Sequence, residues 1–362
     1  MLFSKTLTLA IAGAQGILAA PAFTNGTGTV DRSNLTVALV RKPPPNWPLP
    51  LTNYDYTGIT FNISECVDTG IELIREAKAQ GANLIAFPEL WFPGFPKGLG
   101  SEFNFTQDYL PSYIDNTIVV GDEQWNRLIS AIAEAGIYTI LNFVEREDDF
   151  IYISQSLVDA RGKILHHRRK LRPNGNERDI FSDGTLDGLK ILETEYGRWG
   201  MLACWEHFWP SMTFNMWVQR EHVHLAAFPY LTTNDDETAS GAWEKDVVNQ
   251  GVTSTYAIVS GAYTLVPSIG SSFIFDPTGE RVAYMSADVS LEEFPMLYYS
   301  FDTSRFNSSA TYDVNGQTSW AILSQIVDGF PDYVPKVEGE FVKHKNVSVE
   351  LLQTGEYVMP SS

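Results

Sequence analysis

The stretch Gly197-Arg198-Trp199-Gly200-Met201-Leu202-Ala203-Cys204-Trp205-Glu206-His207-Phe208-Trp209-Pro210 decides how the chain is read. Trp199 to Ala203 is apolar and bounded by glycine, which predicts a short buried strand running into Cys204. Pro210 suits the first turn of a helix, where its missing N–H is no loss. A cysteine on the turn between them faces backbone N–H groups and the positive end of a helix dipole. Both favour the thiolate, the reactive form. A lone cysteine is more often a small buried hydrophobe. Glu206 and His207 argue against that here, because charged groups are rarely placed in a core without a task.

Working outward, the same kind of unit recurs. Leu35 to Val40 alternates and predicts a first strand. A helix from Ser64 to Gln80 follows, with Val67, Ile71, Ile74 and Ala77 as its apolar stripe and Gly81 at its end. Asn83 to Pro88 then reads as a short buried strand ending at Glu89. Asp122 caps a second helix, carrying Trp125, Leu128, Ile129 and Ile132 and closed by Gly136. The strand Ile137 to Val144 ends at Glu145. Tyr152 to Val158 and Lys163 to His167 flank a turn at Asp159-Ala160-Arg161-Gly162 and lead into a basic cluster, Arg168, Arg169, Lys170 and Arg172. Beyond Cys204, helices are expected at 211–223 and 243–254 and strands at 224–228 and 257–264. A hairpin is expected around Asp276-Pro277-Thr278-Gly279. Such alternation predicts an α/β domain of mixed sheets with helices outside. Glu89, Glu145 and Cys204 all end strands, where open α/β sheets bind ligands.

Composition bounds the partners. The chain has 362 residues, 44% of them hydrophobic, which is enough for a sizeable core. Its net charge of −19 excludes a nucleic-acid footprint. Nothing after residue 22 is long and apolar enough to span a membrane. Lys5, the apolar run Leu7 to Leu18 and Ala20-Pro21-Ala22 predict a secretory leader over residues 1–22 and a secreted protein. Glycosylation sequons at Asn25, Asn34, Asn62, Asn104, Asn307 and Asn346 agree with export. The two cysteines, Cys66 and Cys204, could pair, but a disulfide would waste Cys204. His222-Val223-His224 and His166-His167 lack further ligands at metal-binding spacing, so no metal is expected.

A cysteine nucleophile needs a base for its proton and a cation or N–H donors for the charge that develops on the substrate. Glu89, in Phe87-Pro88-Glu89 at a strand end, is a candidate base whose pKa burial would raise. Lys170 is a candidate cation. The set resembles the nitrilase, or carbon–nitrogen hydrolase, superfamily. The residues that carry the resemblance are Phe87-Pro88-Glu89, Pro93-Gly94-Phe95-Pro96, Lys170-Leu171-Arg172-Pro173 and Cys204-Trp205-Glu206-His207. Glu145-Arg146, Glu177-Arg178 and Ser271 to Gly279 are also similar to the family pattern, and the likeness runs from about Leu35 to Asp302.

The resemblance implies a four-layer α-β-β-α sandwich and a homodimer or larger homo-oligomer. It implies Glu89 as general base, Lys170 as stabiliser of the developing anion and Cys204 as nucleophile. Glu145 would orient Lys170, and the Trp205 N–H would complete the oxyanion site. The substrate would be a small nitrile, converted to a carboxylic acid and ammonia without any cofactor. An amide substrate, or an amide product, is the alternative; a secreted protein that keeps the fold only to bind is the third reading, and the intact Glu89, Lys170 and Cys204 argue against it. Trp91, His207, Phe228 and Tyr230 are expected to line the substrate pocket. Residues 33–302 would form the catalytic domain, and 303–362 an extension packed on the core or on a neighbouring subunit. The chain departs from the family at Arg41, where a glutamine is usual, at Arg168, where a histidine is, and at Asn174, where a threonine is.

Overall fold

The computed structural model describes residues 30–99, 105–304, 320–330, 332–333 and 343–355. The expected leader at 1–22 and the sequons at Asn25, Asn104 and Asn307 lie outside the described residues. The strands are β1 (Leu35–Val40), β2 (Leu84–Ala86), β3 (Tyr138–Glu147), β4 (Phe150–Val158), β5 (Ile164–Arg169), β6 (Leu192–Thr194), β7 (Gly197–Ala203), β8 (Val223–Ala227), β9 (Tyr230–Leu231), β10 (Tyr263–Val266), β11 (Ile269–Gly270), β12 (Ser272–Phe275), β13 (Arg281–Met285) and β14 (Met296–Phe301). The helices are α1 (Ile63–Ala79), α2 (Phe105–Asp108), α3 (Leu110–Asp115), α4 (Glu123–Ala135), α5 (Pro210–Trp217), α6 (Asp246–Ser260), α7 (Trp320–Asp328) and α8 (Val349–Thr354).

Two six-stranded mixed sheets form the centre, ordered β14-β1-β2-β3-β4-β5 and β13-β12-β10-β8-β7-β6. Each is built the same way. Three parallel strands are linked through helices, β1-β2-β3 through α1 and α4 and β7-β8-β10 through α5 and α6. Antiparallel neighbours then extend each sheet.

Strand alternation explains the layering, because successive side chains leave opposite faces. Leu35, Val37 and Leu39 of β1 enter a cluster with Trp199, Met201 and Leu225 of the other sheet, so the sheets pack face to face. Ala38 and Val40 point the other way, against Val67, Ile71 and Ile74 of α1 and Leu128 and Ile132 of α4. On the second sheet, Leu202 turns outward to meet Met216 of α5 and Tyr256 of α6. The result is the four-layer α-β-β-α sandwich.

Helix ends follow their caps. Asn62 accepts the N–H of Glu65 and Asp122 that of Trp125, while Gly136 closes α4 in the left-handed region at φ 63°. Two boundaries differ clearly from expectation: α5 stops at Trp217, short of residue 223, and α6 runs past residue 254. Ala257 to Ser260 was read as strand, but α6 continues to Ser260 and the strand begins at Tyr263. The cause is a buried face that carries on at helical spacing through Thr253, Tyr256, Ala257 and Ser260, until Gly261 breaks it at φ 71°. β14 is the strand that pattern reading missed; it pairs antiparallel along the whole of β1.

Arg41, at the end of β1, is fully buried and donates to the carbonyls of Gly270, Ser286, Val289, Ser290 and Phe294. A guanidinium with five N–H donors can satisfy so many carbonyls, whereas a glutamine amide has two. Near the C-terminus, Val347, Val349 and Leu352 are buried against Tyr113, Ile151 and Phe181.

Candidate active site

Each site residue stands at or just beyond a strand end. Glu89 lies three residues past β2, and its backbone N–H donates to the Phe228 carbonyl at 3.1 Å, tying the first sheet's loop to the end of β8 in the second. Lys170 follows β5; its N–H bonds the Ile153 carbonyl at 2.7 Å and its own carbonyl takes the Gly184 N–H at 2.9 Å. Gly184 has no room for a side chain, since a Cβ would sit 2.7 Å from the Lys170 carbonyl oxygen.

The Lys170 ammonium is buried between two carboxylates. Its Nζ donates to Glu89 Oε1 at 2.9 Å and to Glu177 Oε2 at 2.8 Å. Burial alone would favour the neutral amine, but Glu177 and Glu89 outweigh it and hold the lysine above its ordinary range. Glu89 moves upward, because burial outweighs the attraction of Lys170. Its second oxygen, Oε2, is buried and makes no hydrogen bond among the described residues.

Cys204 begins a five-residue 3-10 turn, Cys204–Phe208, and the helix starts only at Pro210. Cys204 therefore lies outside the first turn of α5, where a helix dipole would favour a thiolate. Burial first, then the charge of Glu89, push the thiol well above its ordinary range. Lys170 and a hydrogen bond from the Trp205 N–H pull the other way and lose. The resting group is a thiol that needs a base. Its backbone is in the left-handed region at φ 47°, which a non-glycine residue adopts only when its surroundings enforce it. Cys66 is also a free thiol, buried in α1.

Cys204 opens onto a cavity of about 460 Å³, lined also by Trp205, Glu177, Asn174, Tyr54, Phe95, Leu99, Tyr230 and Trp243. Of the four expected pocket residues, Tyr230 lines it. Trp91 is buried in the layer between the first sheet and α1, packed on Phe92 at 4.6 Å and bonded to the Lys42 carbonyl. His207 and Phe228 stack on each other, 5.8 Å between centroids, and neither is among the lining residues. They belong to the support behind Cys204, because the 3-10 turn carries His207 away from the cavity.

Glu145 does not touch Lys170. It binds Arg169 at 2.6 Å, His167 at 3.0 Å and Ser154 at 2.5 Å. The second carboxylate on Lys170 is Glu177, which sequence reading noted without giving it a role. The signal was its place seven residues after Lys170, on a short turn where it also accepts the Asn174 N–H at 2.8 Å. Asn174 itself accepts from the Trp209 indole at 3.1 Å, bridging the lysine and cysteine loops.

A buried thiol, an ammonium and two carboxylates, assembled at strand ends of this sandwich, define a cysteine-dependent hydrolase. The carbon–nitrogen hydrolase family profile matches residues 36–293. An arylacetonitrilase of Aspergillus kawachii is 30% identical over 286 residues, 72% of this chain and 86% of that one. A cyanide hydratase of Pyrenophora teres f. teres is 33% identical over 231 residues, 60% of this chain and 62% of that one. An amidase of Nesterenkonia sp. shares the fold with a TM-score of 0.57 at 16% identity, covering 76% of this chain and 93% of that one. The chain belongs to the carbon–nitrogen hydrolase family, in its nitrilase and cyanide hydratase branch. It is an enzyme with a buried active-site cysteine.

Proposed function

We propose that this enzyme hydrolyses an organic nitrile to a carboxylic acid and ammonia, with Cys204 as nucleophile, Glu89 as base and Lys170 as the cation beside the developing anion. The observation that carries this reading is the Lys170 ammonium held at 2.9 Å from Glu89 and 2.8 Å from Glu177, beside a thiol at the wall of an apolar cavity. Glu89 Oε2, which lacks a partner among the described residues, takes the thiol proton as sulfur attacks the nitrile carbon. The nitrogen gains charge and meets Lys170 and the Trp205 N–H. Protonation gives a thioimidate. Water adds, ammonia leaves, and a second water hydrolyses the thioester. Glu177 keeps the lysine charged and fixed throughout.

The cavity of about 460 Å³ favours a substrate far larger than cyanide, and its walls of Tyr54, Phe95, Leu99, Tyr230 and Trp243 favour an aromatic or long apolar substituent. The test is a panel of nitriles and amides with ammonia, acid and amide all quantified. Acid and ammonia in equal amounts from nitriles support the reading. Turnover of amides alone, or amide as the end product, replaces it with an amidase or a hydratase. Turnover by Cys204→Ala would remove the nucleophile assignment.

We also infer export and homo-oligomeric assembly. The leader pattern at 1–22 and the exposed sequons Asn34, Asn62 and Asn346 support export. Intact-mass measurement of the secreted protein before and after deglycosylation tests the first. Light scattering tests the second, and a monomer would refute it.

A further inference from the structure

Behind Cys204, between the second sheet and α6, lies a polar cluster that the chemistry above leaves unused. His224 of β8 has its Nδ1 2.9 Å from Glu221 Oε2 and its Nε2 2.9 Å from the Nε2 of His207. The Nδ1 of His207 is 2.6 Å from the backbone carbonyl oxygen of Cys204. At the far end, the Tyr256 hydroxyl donates to Oε1 of Glu221. Glu221, His224, His207 and Tyr256 are all buried, at 1%, 0%, 4% and 3% exposure. Four ionisable side chains in one dry line invite a proton count.

The acceptors dictate that count. The Cys204 carbonyl can only accept, which assigns a proton to His207 Nδ1. Burial, then the neighbouring His224, push His207 well below the usual histidine range, so the ring is neutral and its Nε2 is a bare acceptor. His224 Nε2 must then be the donor between the two rings. On its other side, a bare Nδ1 facing an ionised carboxylate at 2.9 Å would be two acceptors in contact. A further proton therefore lies between His224 and Glu221. By this hydrogen-bond geometry the pair holds one proton more than a neutral histidine beside an ionised glutamate.

We propose that Glu221, His224 and His207 form a buried relay that polarises the Cys204–Trp205 peptide from behind, strengthening the Trp205 N–H as a donor to the sulfur and to the substrate anion that forms beside it. A hydrogen bond into a peptide carbonyl draws electron density from the same peptide's nitrogen, and successive hydrogen bonds in a low-dielectric interior reinforce one another. The Trp205 N–H belongs to the same peptide as the Cys204 carbonyl and favours the ionised sulfur. The line of hydrogen bonds thus runs unbroken from Tyr256 to the Cys204–Trp205 peptide. The same contact from His207 anchors Cys204 in its left-handed backbone conformation, φ 47°. These are positioning residues; they act on the reaction through one peptide unit. The inference rests on the reading of Cys204 as nucleophile.

The decisive variant is Glu221→Gln. A glutamine amide can donate to His224 Nδ1 and accept from Tyr256, so every hydrogen bond of the line survives and only the additional proton is lost. The expected result on the full-length enzyme is a kcat lowered roughly tenfold, a weakening smaller than loss of a whole oxyanion donor. KM stays unchanged, and iodoacetamide alkylates Cys204 more slowly, with peptide mapping separating it from Cys66. His207→Asn keeps a donor for the Cys204 carbonyl but severs the relay, and is expected to be at least as slow as Glu221→Gln. A kcat of Glu221→Gln equal to wild type overturns the relay, and so does full activity of His207→Asn, which would mark a plain structural hydrogen bond. If Glu221→Gln does not fold, His207→Asn and Tyr256→Phe decide by the same kcat. A Cys204→Ala control separates the two ideas. Turnover there sinks the nucleophile, whereas a dead Cys204→Ala beside a normal Glu221→Gln sinks only the relay.

Discussion

Arg168 Nη2 lies 2.7 Å from Glu206 Oε1, and neither side chain is exposed to solvent. The same carboxylate accepts the N–H of Leu171 at 2.9 Å and the N–H of Ala203 at 2.8 Å. Those are the neighbours of Lys170 and Cys204. One buried glutamate thus sets the distance between the two loops that carry the reaction, and Arg168 supplies the charge that lets it remain ionised. Burial would raise the Glu206 pKa, but Arg168 and the backbone donors outweigh it and hold it below the usual carboxylate range.

Glu206→Ala is therefore expected to be among the most damaging changes outside the reacting groups. It leaves Arg168 buried without its counter-charge, a loss of about 3–5 kcal/mol by precedent for broken buried pairs. Denaturant unfolding of the variant measures it. A loss below about 1 kcal/mol, the value of a surface ion pair, would show that the two charges do not depend on each other.

Lys170→Ala removes the only cation bonded to Glu89 and Glu177 among the described residues. With the ammonium gone, two carboxylates face a substrate that is gaining negative charge. A fall in kcat on the order of a hundredfold or more is expected, comparable with losing an oxyanion donor. Lys170→Arg is expected to rescue little, since a planar guanidinium does not fit the point between two carboxylates. A Lys170→Ala enzyme within severalfold of wild type would contradict the assignment.

The pH profile follows from Glu89. A base must be ionised to accept the thiol proton, and burial raises this carboxyl above the ordinary glutamate value of 4.5. Activity is thus present above the raised pKa and is lost as pH falls through it. The acid limb of kcat/KM is expected at a pH distinctly higher than an unperturbed glutamate would give. A profile flat down to about pH 4.5 would contradict Glu89 as the base.

Much of this was legible in the sequence because it is local. Strand alternation in Leu35–Val40 and the caps at Asn62 and Asp122 depend on neighbours a few residues away, and the structure places those elements there. The strand end at Cys204 was equally readable. What stayed hidden depends on contacts across the fold. Glu145 and Glu177 both look like spare glutamates beside strong motifs. Only the turn after Asn174 shows which of them reaches Lys170. Trp91, two residues after Glu89, packs into the layer under α1 and becomes core. His207 was expected to meet substrate, but the 3-10 turn after Cys204 sends it back under the sheet toward His224. Of the residues that carry the cavity wall, Tyr54 and Leu99 come from loops without periodicity and Trp243 from a single 3-10 turn ahead of α6, too short for a pattern to show which way it faces.

Glu145, freed from a role at Lys170, makes a prediction about acid stability. Burial would raise its pKa, but hydrogen bonds from His167 and Arg169 outweigh it and bring it from 4.5 down to about 2. The folded state thus holds the carboxylate ionised at pH values where the unfolded chain protonates it. The unfolded state binds more protons between those two values, so stability falls as pH drops through that window and is fully present above it. A shift of this size corresponds to roughly 3 kcal/mol. Glu145→Gln removes the titration. The variant is expected to be less stable than wild type near neutrality, where Arg169 would keep only Glu147 of its two carboxylate partners, and to lose less on acidification from about pH 4.5 to about pH 2. Chemical unfolding of both proteins across that range measures the difference. Parallel curves for the two would mean that Glu145 titrates as an ordinary carboxylate, and that the contacts with His167 and Arg169 contribute nothing to keeping it charged.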